Sequence, residues 1–356
     1  MWYRIARKLS ETYSRRFARA VRESYAEDEA YAPTPLGRCA LALFLGLLFL
    51  LPLILGPYPM YVLSLTAIAA LGALGLHLLV GGAGLISLGQ AAFLGIGAYT
   101  ASHLSGPLAP LGVLAGGLLA ALVGLVLGLP SLRIKGVYLA IATLAFQFLA
   151  ILVFNNWESF TGGIRGRNLA PAEILGHPLD SPGALWYLIL AFTVPLFFYG
   201  KRLLSTRAGR AWLALRDNEL SAQVAGVELV PTKLSAFLLS AFYAGVAGGL
   251  LANLYRTVTP EHFLFGVSVQ YLAMVIVGGA GTVLGAVLGA AFVVLVPELL
   301  NTLVGALGPA YAGALAALRN VVFGTLILAF LILEPRGLVG LWSRVRDYLR
   351  TWPLPY

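Results

Sequence analysis

Charged residues are so widely spaced along this chain that the gaps between them define its elements. Between Arg38 and Arg133 lie 94 residues without a single Asp, Glu, Lys or Arg. A membrane-spanning helix takes about 20 mostly apolar residues. The stretch therefore predicts four spans with short turns, near 39–56, 60–80, 83–103 and 108–129. Pro57, Pro59, Pro107 and Pro110 mark the turns on one side. A fifth span follows Lys135, near 136–154, and a sixth lies near 183–200, beyond a polar segment at 155–182. The basic stretch 201–231 leads into a seventh near 233–254. The uncharged run from His262 to Pro297 holds two more, split by Gly278-Gly279-Ala280-Gly281, and a tenth lies near 317–334. Glycine within the third span and between the two spans around Gly278 permits broken or re-entrant helices there.

Composition agrees with an all-α integral membrane fold of about ten helices. Hydrophobic residues make up 59% and charged residues 11%, where soluble domains run near 45–50% and about 25%. The 41 glycines and 19 prolines suit helices that pack closely and sometimes break. One cysteine, Cys39, excludes an internal disulfide and a cysteine-based metal cluster. The net charge of +9 fits the Lys/Arg excess that orients membrane proteins better than a nucleic-acid partner. Segments 1–38, 133–135, 201–233 and 336–350 carry 20 of the 24 Lys and Arg; only Arg165, Arg167, Arg256 and Arg319 lie elsewhere. Ten spans would put all four segments on one side, with both termini in the cytoplasm. The organisation expected is a cytoplasmic segment 1–38, a membrane domain 39–334 with the cytoplasmic loop 201–231, and a cytoplasmic tail 335–356. Within 1–38, Trp2, Ile5, Leu9, Tyr13, Phe17 and Val21 recur at helical spacing opposite Arg4, Lys8, Arg15, Arg19 and Arg22, which predicts an amphipathic helix lying in the lipid interface.

Catalytic chemistry is missing. The chain has no GxxxxGK[S/T] loop, no HExxH pair and no G-x-S-x-G turn, and His77, His103, His177 and His262 are isolated. No catalytic or metal-ligating residue is assigned, and an enzyme is not the reading. Glu298 and Glu334 sit only at span ends, so a carrier coupled to an ion gradient lacks its usual intramembrane charge. A transport subunit energised by another protein fits, with a secondary carrier or channel as the different class.

Two local features stand out. Segment 205–226 predicts a basic amphipathic helix, capped by Ser205 or Thr206 and ended by Gly226. Ala211, Trp212, Leu215 and Leu220 would form its apolar face, and Arg210, Arg216, Asp217 and Glu219 its charge. Adjacent Arg216 and Asp217 suit a polar socket on a partner; an ordinary solvated connector is the plain alternative. Val80-Gly81-Gly82-Ala83-Gly84 recurs as Val277-Gly278-Gly279-Ala280-Gly281. Its glycines Gly81, Gly82, Gly84, Gly278, Gly279 and Gly281 are candidate helix breaks, although plain packing motifs or an internal duplication would read the same.

The run GGAGLISLGQAAFLGIGAYTA (81–101) resembles the signature of LivM-type permeases, membrane subunits of bacterial branched-chain amino acid ABC importers. So do LAIATLAF (139–146), Asn155-Asn156-Trp157, Thr161-Gly162-Gly163 and GRAWLALRDNELSAQVAG (209–226). Further matches are KLSAFLLSAFYAGVAGGLLA (233–252), the Pro260, Phe263 and Ser268 spacing, MVIVGGAGTVLGAVLGA (274–290) and Glu334-Pro335-Arg336-Gly337-Leu338. Ile86-Ser87-Leu88-Gly89-Gln90-Ala91 favours LivM over its LivH partner type. The resemblance implies a bacterial inner-membrane complex of this permease, a LivH-type permease, two ATPase subunits and an extracytoplasmic solute-binding protein. It implies ATP and Mg on the ATPase subunits and no cofactor on this chain. The loop implied to contact the ATPases contains Arg207, Gly209, Arg210, Arg216, Asp217, Glu219, Ala222 and Gly226. The implied substrates are Leu, Ile, Val or related neutral amino acids, with urea or short amides as the alternative. A zwitterion needs donors and acceptors, for which Ser87, Gln90, Thr143, Gln147, Asn253 and Gln270 are candidates. Each is equally an interhelical hydrogen-bonding group.

Overall fold

The structure, a computed structural model, describes residues 35–132, 134, 136–174, 177–280 and 282–306, positions 321, 324, 325, 328 and 332, and residues 337–351. The expected interfacial helix within 1–38 and the tenth span near 317–334 lie almost wholly outside these residues. The chain divides into two compact units, 1–54 and 55–356. The first contributes α1 (Pro35–Ile54), whose last 14 residues, Leu41–Ile54, are apolar.

The second unit opens with α2 (Pro57–His77), which begins on a proline whose missing N–H costs nothing in a first helical turn. A five-residue π turn, Leu78–Gly82, continues α2. The chain then leaves helical geometry at Gly84, where φ is +70°, and resumes it only at α3 (Gln90–His103). This revises the third expected span. At 14 residues and 1.5 Å per residue, α3 is about 21 Å long, too short for an apolar layer about 30 Å thick.

Ordinary spans follow as α4 (Ala109–Ser131) and α5 (Val137–Asn156). The polar segment 157–181 folds into α6 (Glu158–Thr161), β1 (Arg167–Asn168), β2 (Glu173–Ile174) and β3 (His177–Pro178), with β2 and β3 paired antiparallel. Next come α7 (Pro182–Ser205), two short helices α8 (Arg207–Asp217) and α9 (Glu219–Val224), and the 27-residue α10 (Leu229–Tyr255). After it, β4 (Thr257–Val258) pairs antiparallel with β1. The helices α11 (Phe265–Gly278), α12 (Val283–Ala306) and α13 (Gly337–Thr351) complete the description. Among the described residues, seven stretches have the length and apolarity of a span; α3 is not one of them. Glu298 of α12 accepts a hydrogen bond from Tyr58 at the start of α2.

The core forms around α10, which is buried without a gap from Tyr243 to Asn253. Lipid offers no hydrophobic drive between helices, so close backbone approach through small residues holds such a core. A Cβ on Gly97 of α3 would lie 2.0 Å from the Gly245 carbonyl oxygen of α10, and one on Gly248 would lie 1.9 Å from Leu94 O. These contacts pin the short α3 against α10. Gly97→Ala is expected to cost about 1–3 kcal/mol by overpacking, seen as a lower melting temperature in detergent. Gly46→Ala, with nothing within 4 Å of the added carbon, is the control and should leave melting unchanged.

Candidate functional site

Gln90, at the start of α3, is buried and bonds to Gly72 within the span-length α2, so α3 begins level with the interior of a span, which creates a specific demand. The first N–H groups of a helix have no partner within it, and lipid supplies none. Here side chains supply them. Leu88 N–H donates to Thr143 Oγ1 at 2.9 Å and Gly89 N–H to Ser87 Oγ at 3.3 Å. Ala91 N–H donates to Ser268 Oγ at 2.9 Å and Ala92 N–H to Gln147 Oε1 at 2.7 Å. Gln147 also donates through Nε2 to Phe263 O at 2.7 Å and accepts from Ser268 at 3.1 Å. Its one amide thus joins α5, α3, α11 and the turn before α11. Gln90 Nε2 reaches Gly72 O of α2 at 2.8 Å.

Four of the six candidate path residues, Ser87, Gln90, Thr143 and Gln147, therefore meet around one helix start, each buried to 2% exposure or less. Asn253 bonds within its own helix, Nδ2 to Gly249 O at 2.8 Å, and Gln270 is exposed on α11. Neither joins the cluster.

The two Val-Gly-Gly-Ala-Gly motifs also meet. A Cβ on Gly81 would lie 2.2 Å from Ala280 O and 2.9 Å from the His77 ring. Gly278 is equally tight against Gly285 O, at 1.9 Å, and Gly279 has φ +106°. Gly82 meets only ordinary contacts, so space does not demand glycine there. Gly281 lies outside the described residues.

At the same end of the bundle, the basic loop departs from the single helix expected over 205–226. Thr206 caps α8 by accepting from Gly209 N–H at 3.4 Å. Trp212 is fully buried, and its Nε1 donates to Thr232 O and Ser235 Oγ, both at 3.1 Å. The helix stops because Asn218 turns extended and caps α9, accepting from Ser221 N–H at 3.0 Å. Gly226 then ends α9 at φ +86°, with Val227 N–H reaching back to Ala222 O at 3.0 Å.

The break redistributes the expected faces. Leu220 is not part of the apolar inner face: it is 71% exposed, and Val224, one turn on, is 91% exposed. Arg216 is 38% exposed and divides its guanidinium between an inner and an outer partner. Its Nη1 donates inward to Gly81 O at 2.8 Å, while its other nitrogens hold Asp217 at 3.2 Å. Glu219 pairs with Lys233 of α10 at 2.5 Å, the lysine side chain being 3% exposed. Arg207 and Arg210 remain at the surface, and Gly209 and Ala222 are buried. Ser268 and Lys233 are structurally as important as the expected residues. The Pro260, Phe263 and Ser268 spacing pointed to the first; nothing in the local pattern marked the second.

Residues 58–331 match the family described as branched-chain amino acid transport system / permease component. The chain belongs to this family. The match runs from α2 through α12 and so contains the α3 break, the paired glycine motifs and the α8–α9 loop. The relatives carry permease names. This permease-family chain is 33% identical over 311 residues to the high-affinity branched-chain amino acid transport system permease protein LivM of Escherichia coli, covering 78% of this chain and 68% of the relative. Identity to a probable LivM permease of Methanocaldococcus jannaschii is 29% over 254 residues, 66% of this chain and 70% of that one. The ribose import permease protein RbsC of Haemophilus influenzae is 26% identical over 257 residues, 68% of this chain and 76% of its own. No solved structure matches.

Two stability predictions follow from the geometry. Gln147→Leu leaves the Ala92 donor and the Phe263 acceptor unpaired, at about 1–3 kcal/mol each, so the melting temperature in detergent should fall clearly. Glu219→Ala leaves Lys233 buried without its partner and should cost about 3–5 kcal/mol, whereas the double change Glu219→Leu with Lys233→Met should cost far less. Comparing the melting of the single and double variants checks this order.

Proposed function

We propose that this chain is the permease subunit of an ATP-binding-cassette importer for Leu, Ile, Val or related neutral amino acids. In this reading it works with a LivH-type permease, two ATPase subunits that bind ATP and Mg, and an extracytoplasmic solute-binding protein. The observation that carries the reading is the family match across 58–331, supported by relatives named as branched-chain amino acid permeases. The sequence offers no nucleotide loop of its own, and a pump of this kind needs a surface on which ATPase subunits act.

The α8–α9 loop supplies such a surface. Leu220 and Val224 stand out from a short helix at the basic end, where lipid cannot cover them if that end is cytoplasmic. Arg207 and Arg210 of α8 are exposed as well. Both helices are held firmly, α8 by Trp212 and α9 by the Glu219–Lys233 pair, so force applied to them is passed on rather than absorbed. The buried polar cluster at α3 plays a different part. Its groups are committed to backbone partners, so it scaffolds the path and leaves substrate contact to other surfaces.

The reading is tested with the assembled transporter in proteoliposomes. Purified alone, this chain should hydrolyse no ATP. With its partner subunits and leucine-loaded binding protein it should support ATP-dependent leucine uptake; uptake independent of ATP would overturn the proposal, and response to urea alone would redirect the substrate. Leu220→Asp with Val224→Asp should leave the permease in the membrane at normal abundance and abolish co-purification of the ATPase subunits. For orientation, in a Cys39→Ser background, Arg165→Cys should label from outside intact cells and Arg207→Cys only after permeabilisation.

A further inference from the structure

We infer that Arg216 is the positioning residue that ties α8, the helix joined to the ATPase-facing α9, to the broken segment leading into α3; this rests on the importer reading above. The link begins where α2 gives way. Through the π turn and the bend after it, Gly84 N–H returns to Val80 O at 3.2 Å and Leu85 N–H to Leu79 O at 3.1 Å. The Gly81 carbonyl instead takes the Arg216 guanidinium, at 2.8 Å. The same side chain presses its stem on the bend: Arg216 Cγ lies 2.9 Å from where a Cβ on Gly84 would sit. A single side chain from α8 thus grips both the last helical carbonyl region and the turn that follows it.

The anchor on one side of this grip is stiff. Trp212, four residues before Arg216 and on the same face of α8, is fully buried and bonded to α10. On the other side, Gly81 abuts the Ala280 carbonyl of the second glycine motif. From Leu85 a short non-helical stretch reaches Gln90, where Thr143, Ser268 and Gln147 hold the α3 start. Beside the grip is a cavity of about 100 Å³, lined by Ala83, Leu85, Ile134, Leu215 and Lys233 among others. Close packing, which transmits force without polar contacts, gives way there to a half-open recess that Gly84 and Arg216 themselves line. The guanidinium contact carries what packing does not, so a shift of α8 is handed to Gly81–Gly84 and from there to α3 and to the Ala280 turn.

The test compares Arg216→Met, which keeps the stem beside Gly84 and removes the guanidinium, with Arg216→Lys, which restores one donor and the charge. Wild type and both variants are purified as full complexes and assayed for ATPase co-purification, ATP hydrolysis and substrate uptake in the same proteoliposomes. The expected result is that Arg216→Met assembles normally and hydrolyses ATP, but moves about tenfold less substrate per ATP, and that Arg216→Lys recovers most of the loss. A purely structural role would lower all three readouts together and would not give a changed ratio with rescue by lysine. Full uptake by Arg216→Met overturns the inference. So does loss of ATPase co-purification, which would make Arg216 a docking residue, or loss of both variants from the membrane, which would make it a folding residue. If the wild-type chain itself fails to assemble with ATPase subunits, the importer reading falls first.

Discussion

A helix that begins inside an apolar layer must find partners for its first amides from somewhere other than itself or water. Every unusual feature in the middle of this protein answers that constraint. Because α3 starts at Gln90, side chains from α5 and α11 are required at that depth, and Thr143, Gln147 and Ser268 are there. Because α3 is short, its hold on the bundle must come from close backbone approach to α10, which Gly97 and Gly248 allow. Because the chain must turn back before reaching Gln90, a left-handed residue is needed at position 84, and glycine meets that need with φ +70°.

The same break gives the basic end of the bundle its architecture. Ending α2 in a π turn leaves the Gly81 carbonyl facing the basic loop, where Arg216 takes it. The second glycine motif closes against the first through Ala280, and Gly337 at the start of α13 sits against Gly279. Two glycine turns, a short amphipathic helix and the C-terminal helix therefore share one joint. An importer driven from outside its own chain needs such a place, where motion of a surface helix reaches elements inside the membrane.

Much of this was legible in the residues. The spacing of charges located α2, α4, α5, α7, α10 and α12, because a run without Asp, Glu, Lys or Arg has few alternatives to a span. The glycines at 81, 82 and 84 signalled a break. They could not tell where the helix resumes, since Leu85 to Gly89 is as apolar as the helix after it. In the loop, Asn218 is a favoured N-cap residue and so a helix-start signal that the smooth amphipathic pattern concealed. The placement of Arg216 was available in part: it lies four residues after Trp212, so its stem falls beside the buried face while the side chain stays 38% exposed. The Glu219–Lys233 pair was not legible, because it joins two helices whose relative placement no local pattern fixes. For Ser87, Gln90, Thr143 and Gln147, residue type foretold hydrogen bonding at depth but not that backbone amides would use it.

In this structure α3 is a half-helix whose first amides are held by side chains. Hydrogen exchange at the amides of Ala91 and Ala92, measured in the assembled transporter by fragment-resolved mass spectrometry or by NMR, tests it most directly. These amides should be protected as strongly as those in the middle of α10, and Gln147→Leu should selectively release the Ala92 amide. Rapid exchange at both positions in the wild-type protein, or protection unchanged by Gln147→Leu, would show that these side chains do not hold the α3 start.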